Sequence, residues 1–270
     1  MAEKAVLLGI KKSEASTGNL LLLGFLAGTY IAMGAIFATT ATAGTSGSMP
    51  YGLVRLISGL TFCLGLILVV VGGAELFTGN MLISMAWADG KVSLQALLRN
   101  WLIVYLANFL GSIFMAALIF FSGQYAFGHG AIGLTILSTG EAKTELAFLP
   151  ALYLGILCNM AVCLAVWLTY SGRSTTDKIM AILFPISMFV AAGFEHSVAN
   201  MYFIPIALFV KFGGSPTFFE SIQKSPADFP HLTWGNFLLG NLLPVTIGNI
   251  IGGALMVGLI YWFVYLRKKS

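Results

Sequence analysis

The sequence predicts an all-α polytopic membrane protein of six transmembrane helices, arranged as two inverted three-helix repeats with the second and fifth helices broken. Three observations carry this. Of the 270 residues, 58% are hydrophobic and 9% charged, where a soluble domain carries about 25% charged residues. Six apolar runs are long enough to cross a bilayer, which takes about 20 residues. Two of the runs, 52–88 and 179–211, are too long for one simple span and contain no charged loop that would make two full ones.

Met1 to Thr17 is polar and basic, with room for a short amphipathic helix. Apolar runs follow near 19–41, 52–88, 97–121, 146–170, 179–211 and 236–266. Lys11 and Lys12 before the first run, and Ala41-Thr42-Ala43 after it, have the outline of a cleavable signal. A secretory apolar core is about 7 to 15 residues, and the run from Leu20 to Thr40 is longer, so it is read as the first membrane helix. Each over-long run carries its central acid beside a helix breaker. The first reads Gly72-Gly73-Ala74-Glu75-Leu76-Phe77-Thr78-Gly79-Asn80, the second Gly193-Phe194-Glu195-His196-Ser197-Val198-Ala199-Asn200. Interrupted hydrophobic segments at corresponding positions of two halves point to a transport site. Three spans per half is an odd number, so the second half enters inverted and the two breaks are expected to meet near the midplane. The repeats are placed at about 18–122 and 145–267 within a single membrane channel domain, 1–270, with a short segment 1–17 in front.

Orientation follows from the basic residues. One side holds Lys4, Lys11, Lys12, Lys91, Arg99, Arg173, Lys178, Arg267, Lys268 and Lys269; the other holds Arg55, Lys143, Lys211 and Lys224. Both termini are therefore expected in the cytoplasm, with the chain spanning the inner (plasma) membrane. The net charge of +4 lies in these flanks and does not indicate a nucleic-acid partner. Cys63, Cys158 and Cys163 all fall in apolar runs, without metal spacing or a disulfide pair. Glycines recur along several spans, including Gly24, Gly28, Gly248, Gly252, Gly253 and Gly258. Their ordinary meaning is close helix packing.

Taken together the two breaks resemble the formate/nitrite transporter family, and the resemblance covers nearly the whole chain. It is carried by Ala74-Glu75-Leu76-Phe77-Thr78-Gly79, by Leu157-Cys158-Asn159-Met160-Ala161-Val162-Cys163, and by Tyr170-Ser171-Gly172-Arg173-Ser174. Gly193-Phe194-Glu195-His196-Ser197-Val198-Ala199-Asn200 and Asn241-Leu242-Leu243-Pro244-Val245-Thr246-Ile247-Gly248-Asn249 complete it. The resemblance implies an aquaporin-like protomer, a homopentamer with one pore per protomer, and a small anion substrate. It implies pathway roles for His196, Thr78, Asn159, Lys143 and Asn249, with Lys143 attracting anions to the outer mouth. It implies an outer constriction of Phe62, Leu66 and Phe189 and an inner one of Leu76, Phe77 and Val162. In the family the N-terminal segment is associated with gating. Ser171-Gly172-Arg173-Ser174 and the segment from Phe189 to Asn200 look closest to formate channels, with nitrite and hydrosulfide as alternatives.

The chemistry of the residues agrees with that expectation. A charge at membrane depth costs roughly 2.5–3.5 kcal/mol, so Glu75, Glu195 and His196 need a reason to be there. A histidine alone in an apolar run is ordinarily a buried side chain satisfied by backbone; the double break and the resemblance reverse that reading here. A small anion needs fixed donors in an apolar constriction, for which the hydroxyl of Thr78 and the amide of Asn159 are candidates, or it needs a proton, for which His196 is the candidate because ordinary histidine titrates near about 6.5. Glu75 and Glu195, with Gly193, read as structural at the breaks, the carboxylates accepting hydrogen bonds from backbone amides freed there. An aquaporin-like neutral-solute pore is the weaker alternative, since the breaks lack paired Asn-Pro-Ala. No catalytic pair, zinc motif or phosphate-binding loop is present in the sequence, so no enzyme activity, cofactor or metal is expected.

Overall fold

The computed structural model describes residues 1–45 and 47–267. Lys268 and Lys269, counted in the charge asymmetry, lie outside the described residues. The regular structure of the described residues is helical, in the order α1 (Ala2–Ser13), α2 (Thr17–Thr42), α3 (Tyr51–Gly72), a 3-10 turn (Gly79–Leu82) leading into α4 (Ile83–Ala88), α5 (Leu94–Phe121), α6 (Ala131–Thr144), α7 (Phe148–Thr169), α8 (Thr175–Ala191), α9 (Ser197–Gly213), α10 (Pro216–Ser221) and α11 (Asn236–Tyr265). Several helices begin where the sequence supplies caps. Ser16 accepts from the Asn19 amide and Ser93 from the Ala96 amide, while Ser174 and Asp177 form a reciprocal capping box at α8, each pair satisfying amides that a helix start leaves without partners.

Five helices (α2, α3, α5, α7 and α11) are long and apolar enough to cross a membrane. The remaining crossing is composite: run 179–211 becomes α8 and α9, of 17 residues each, separated by 192–196. Run 52–88 becomes α3, an extended break and α4. The span α11 alternates π and α segments, π at Asn236–Leu242 and Ile251–Leu259.

Around the breaks, α2 packs on α3 and α5, while α7 packs on α8 and α11; α3 pairs with α8, and α5 with α9. The two halves are close copies in their packing. A side chain at Gly111 of α5 would collide with the Phe25 carbonyl of α2, and one at Gly252 of α11 with the Ile156 carbonyl of α7. Both crossings bring backbone against backbone, which only glycine permits.

The resemblance between the halves extends further than three spans. Helix α1 lies against α4 and α5, and α6 lies against α9. Helices α1 and α6 deliver equivalent lysines, Lys12 and Lys143, to equivalent carboxylates, Glu75 and Glu195. Helix α6 falls in a stretch that reads as a loop when only apolar runs are counted.

Candidate functional site: two helix breaks joined at a histidine

Helix α3 ends at Gly72, and Gly73 takes a left-handed turn with φ +79°. Helix α8 ends at Ala191, and Gly193 turns the same way with φ +78°. Left-handed backbone is costly for residues with a Cβ, which places glycine at both points. After each turn the chain runs extended to the next helical turn, and its amides need partners. The Glu75 amide donates to the Leu23 carbonyl of α2 at 3.1 Å, and the Glu195 amide to the Leu154 carbonyl of α7 at 3.2 Å. The Phe77 amide donates to Asn108 Oδ1 and the Ser197 amide to Asn249 Oδ1, both at 2.9 Å. Each asparagine then gives its two N–H groups to backbone: Asn108 to the carbonyls of Gly24 and Glu75, Asn249 to those of Gly155 and Glu195. These asparagines are brackets that stitch a break to two neighbouring helices.

The carboxylates are bracketed too, but not by freed amides. Lys12 Nζ lies 2.9 Å from both oxygens of Glu75, and Lys143 Nζ lies 2.7 Å from Glu195 Oε1. Asn80 Nδ2 donates to Glu75 Oε2 and to Asn100 Oδ1; Asn200 Nδ2 donates to Glu195 Oε2 and to Asn241 Oδ1. Asn100 Nδ2 donates to the Lys12 carbonyl, and Asn241 Nδ2 to the Lys143 carbonyl. The expectation that Glu75 and Glu195 accept from backbone amides is therefore corrected. Asparagine side chains take those amides, leaving the carboxylates for an ammonium, which offsets the cost of burying the charge.

The breaks meet at Thr78 and His196, whose Oγ1 and Nε2 are 2.9 Å apart. His196 also caps α9, its Nδ1 accepting from the Ala199 amide at 3.0 Å. An Nδ1 that accepts carries no hydrogen, so the neutral ring holds its hydrogen on Nε2 and donates it to Thr78. A second proton, on Nδ1, would leave the Ala199 amide without its acceptor. Thr78, in accepting, keeps its own O–H for another group. Asn159 Nδ2 donates to the carbonyls of Thr78 and Asn249 at 3.2 and 2.6 Å, and Cys163 Sγ also points at the Thr78 carbonyl. The Asn159 N–H groups are thus spent on backbone, and its free polar atom is the buried acceptor Oδ1, which has no partner. This reverses the expectation of an amide donor there.

A cavity of about 910 Å³ leads to His196 from the α2–α3 turn. Its lining includes Phe62, Phe189, Phe203, Lys143, Glu195 and Gly193, with hydroxyls of Thr42, Ser58, Thr135 and Ser138. The Phe62 and Phe189 rings meet edge to face at 5.9 Å, and Phe189 stacks on the His196 ring at 6.0 Å. Thr78, Asn159, Asn249, Leu66, Leu76, Phe77 and Val162 are buried and do not line this cavity. The Phe77 ring packs on Tyr105 of α5 at 4.8 Å.

Sequence reasoning did not find Lys12, Asn100, Asn108 or Asn241, nor a role for Arg55. A signal for most of them was present. Lys143 follows Lys12 at the spacing that separates Leu154 from Leu23 and Gly155 from Gly24; Asn249 follows Asn108 at the spacing that separates Asn241 from Asn100.

An all-helical membrane protein built from inverted repeats, with broken second and fifth spans joined at a polar centre, has the architecture of a solute pore. The chain belongs to the formate/nitrite transporter family: the family model "Formate/nitrite transporter" matches residues 1–263. It is 46% identical over 270 residues to formate channel FocA of Escherichia coli strain K12, covering 100% of this chain and 94% of that protein. It is 39% identical over 269 residues to formate channel FocB of the same organism, covering 100% and 94%. Among solved structures it is similar to a pentameric formate channel with formate bound, with TM-score 0.88 and 43% identity, covering 93% of this chain and 98% of that one.

Proposed function

We propose that this protein is a channel for small monovalent anions of weak acids, with formate as its substrate. The observation that carries the reading is the Thr78–His196 contact, made where the two breaks meet, beside a cavity narrowed by Phe62 and Phe189. The relatives named as formate channels support the choice of formate. In this reading Phe62, Leu66 and Phe189 form the outer constriction and Leu76, Phe77 and Val162 the inner one. Glu75 and Glu195, held by Lys12 and Lys143, keep the breaks in place, as does Asn249. The chain works as a homopentamer with a pore in each protomer and both termini in the cytoplasm.

Formate passes the outer rings and meets the Thr78 hydroxyl, whose O–H is free because its oxygen accepts from His196. His196 supports this donor at neutral pH and supplies a proton in acid. The unpartnered Asn159 Oδ1 suits a protonated substrate better than an anion, since a carboxylic acid O–H is a donor. Passage of the neutral acid also avoids moving charge against the membrane potential, worth about 2.3 kcal/mol per charge per 100 mV.

The test is flux into proteoliposomes of formate, nitrite and hydrosulfide, over about pH 5 to 8 to bracket ordinary histidine. His196→Asn is the informative variant, because asparagine can still cap α9. Formate moving fastest, with a pH response lost in the variant, is the expected result. Passage of water or glycerol without any anion would overturn the reading.

A further inference from the structure

The two halves share their bracketing asparagines and lysine–carboxylate pairs around the breaks, and they differ at Arg55. The position that stands to α8 as Arg55 stands to α3, at the spacing of Glu75 and Glu195, is Thr175, which is uncharged. Arg55 sits half-buried near the start of α3 and lines the cavity. Its Nε donates to the Ala191 carbonyl at 3.0 Å and its Nη2 to the Val190 carbonyl. These carbonyls end α8, directly after Phe189. A helix C-terminus carries about half a negative charge, which beside this cavity would repel an entering anion.

The charge balance of the cavity makes Arg55 the deciding residue. The charged side chains lining it are Arg55, Lys143 and Glu195. Lys143 and Glu195 form an ion pair at 2.7 Å. Among the described residues no carboxylate lies within ion-pair distance of Arg55. A guanidinium has five N–H donors and is always charged, so with two donors on α8 it keeps others for a substrate. The same side chain closes a seam between α3 and α8. Gly59, one turn along, lets α3 approach the Ser187 backbone, and Cys63, one turn further, places its Sγ 3.3 Å from Ser187 Oγ. Phe62 and Phe189 project from the two helices this seam joins.

We propose that Arg55, rather than Lys143, gives the outer vestibule its preference for anions, and that by holding the end of α8 it positions Phe189 against Phe62. This rests on the transport reading above. Arg55 cancels the dipole of α8 and adds a net positive charge to the mouth, raising the local concentration of anion.

Initial rates of formate flux in proteoliposomes, measured at low and high concentrations of an impermeant salt, test this with Arg55→Gln and Arg55→Lys. Arg55→Gln is expected to raise KM roughly fivefold at low salt. The difference shrinks below about twofold near 1 M, where the screening length falls to about 3 Å. Arg55→Lys keeps the charge and the KM but loses the two-carbonyl grip, so its maximal rate and its discrimination against larger monocarboxylates change. Ser58→Asp, on the same wall of the cavity, offsets the charge without touching the grip and is expected to raise KM with the same salt profile. Unchanged KM in both Arg55→Gln and Ser58→Asp would overturn the anion role. Equal loss of maximal rate in Arg55→Gln and Arg55→Lys, with KM and salt response intact, would make Arg55 a helix cap only and overturn it too. Absence of formate flux in the unmodified protein would instead overturn the transport reading, and this inference with it.

Discussion

Thr78 and His196 come from different halves of the chain, both are buried, and each satisfies the other. Replacing Thr78 with valine keeps the shape and removes the hydroxyl. The His196 Nε2–H is then buried without an acceptor, at a cost of about 1–3 kcal/mol, and the substrate loses its donor. Thr78→Val is expected to lower formate flux about tenfold or more, with Thr78→Ser close to normal, read from initial rates at equal protein content. Of this pair, His196 was legible in the sequence because an ionisable group inside an apolar run is costly and so stands out. The free atom of Asn159 was not: residue type shows that an amide is present, but only its neighbours decide that both N–H groups are spent and the carbonyl is left.

At the scale of elements, stability at the breaks depends on pairs that reach across helices. The Lys143 and Glu195 side chains are 16% and 5% exposed, those of Lys12 and Glu75 28% and 11%. Removing one partner of a buried pair strands a charge, at about 3–5 kcal/mol. Lys143→Met is therefore expected to lower thermal stability in detergent more than Lys12→Met does, and Lys143→Met with Glu195→Gln to recover much of the loss. A double-mutant cycle of melting temperatures measures this coupling. Close helix crossings give a second expectation. Gly252→Ala would drive a methyl group into the Ile156 carbonyl, costing about 1–3 kcal/mol, and its melting temperature should fall accordingly. The helices and their breaks could be read from apolar runs and glycines. The pairing of α1 with the first break could not, because Lys12 stands in a polar segment like any flanking cation and its carboxylate is 63 residues away.

At the scale of the whole molecule, the duplication brings both N-terminal and C-terminal segments to one side of the bundle. The lysine asymmetry is the ground for proposing that this side is cytoplasmic. Native mass measurement in detergent should find five chains. A membrane-impermeant thiol label should reach Glu3→Cys in inside-out vesicles and not in right-side-out ones; the three native cysteines are buried. By itself the sequence determined the number of spans, the two interruptions and the central histidine. Bilayer solvation acts on each segment locally: an apolar run must cross, a glycine pair must turn, and a charge in between must be used. Only the tertiary structure decided which lysine meets which carboxylate, that asparagines hold the freed amides, and that Arg55 grips the end of α8 beside the cavity. Those outcomes depend on which side chains face each other across helices far apart in the chain, a property of the packed bundle that no single segment contains.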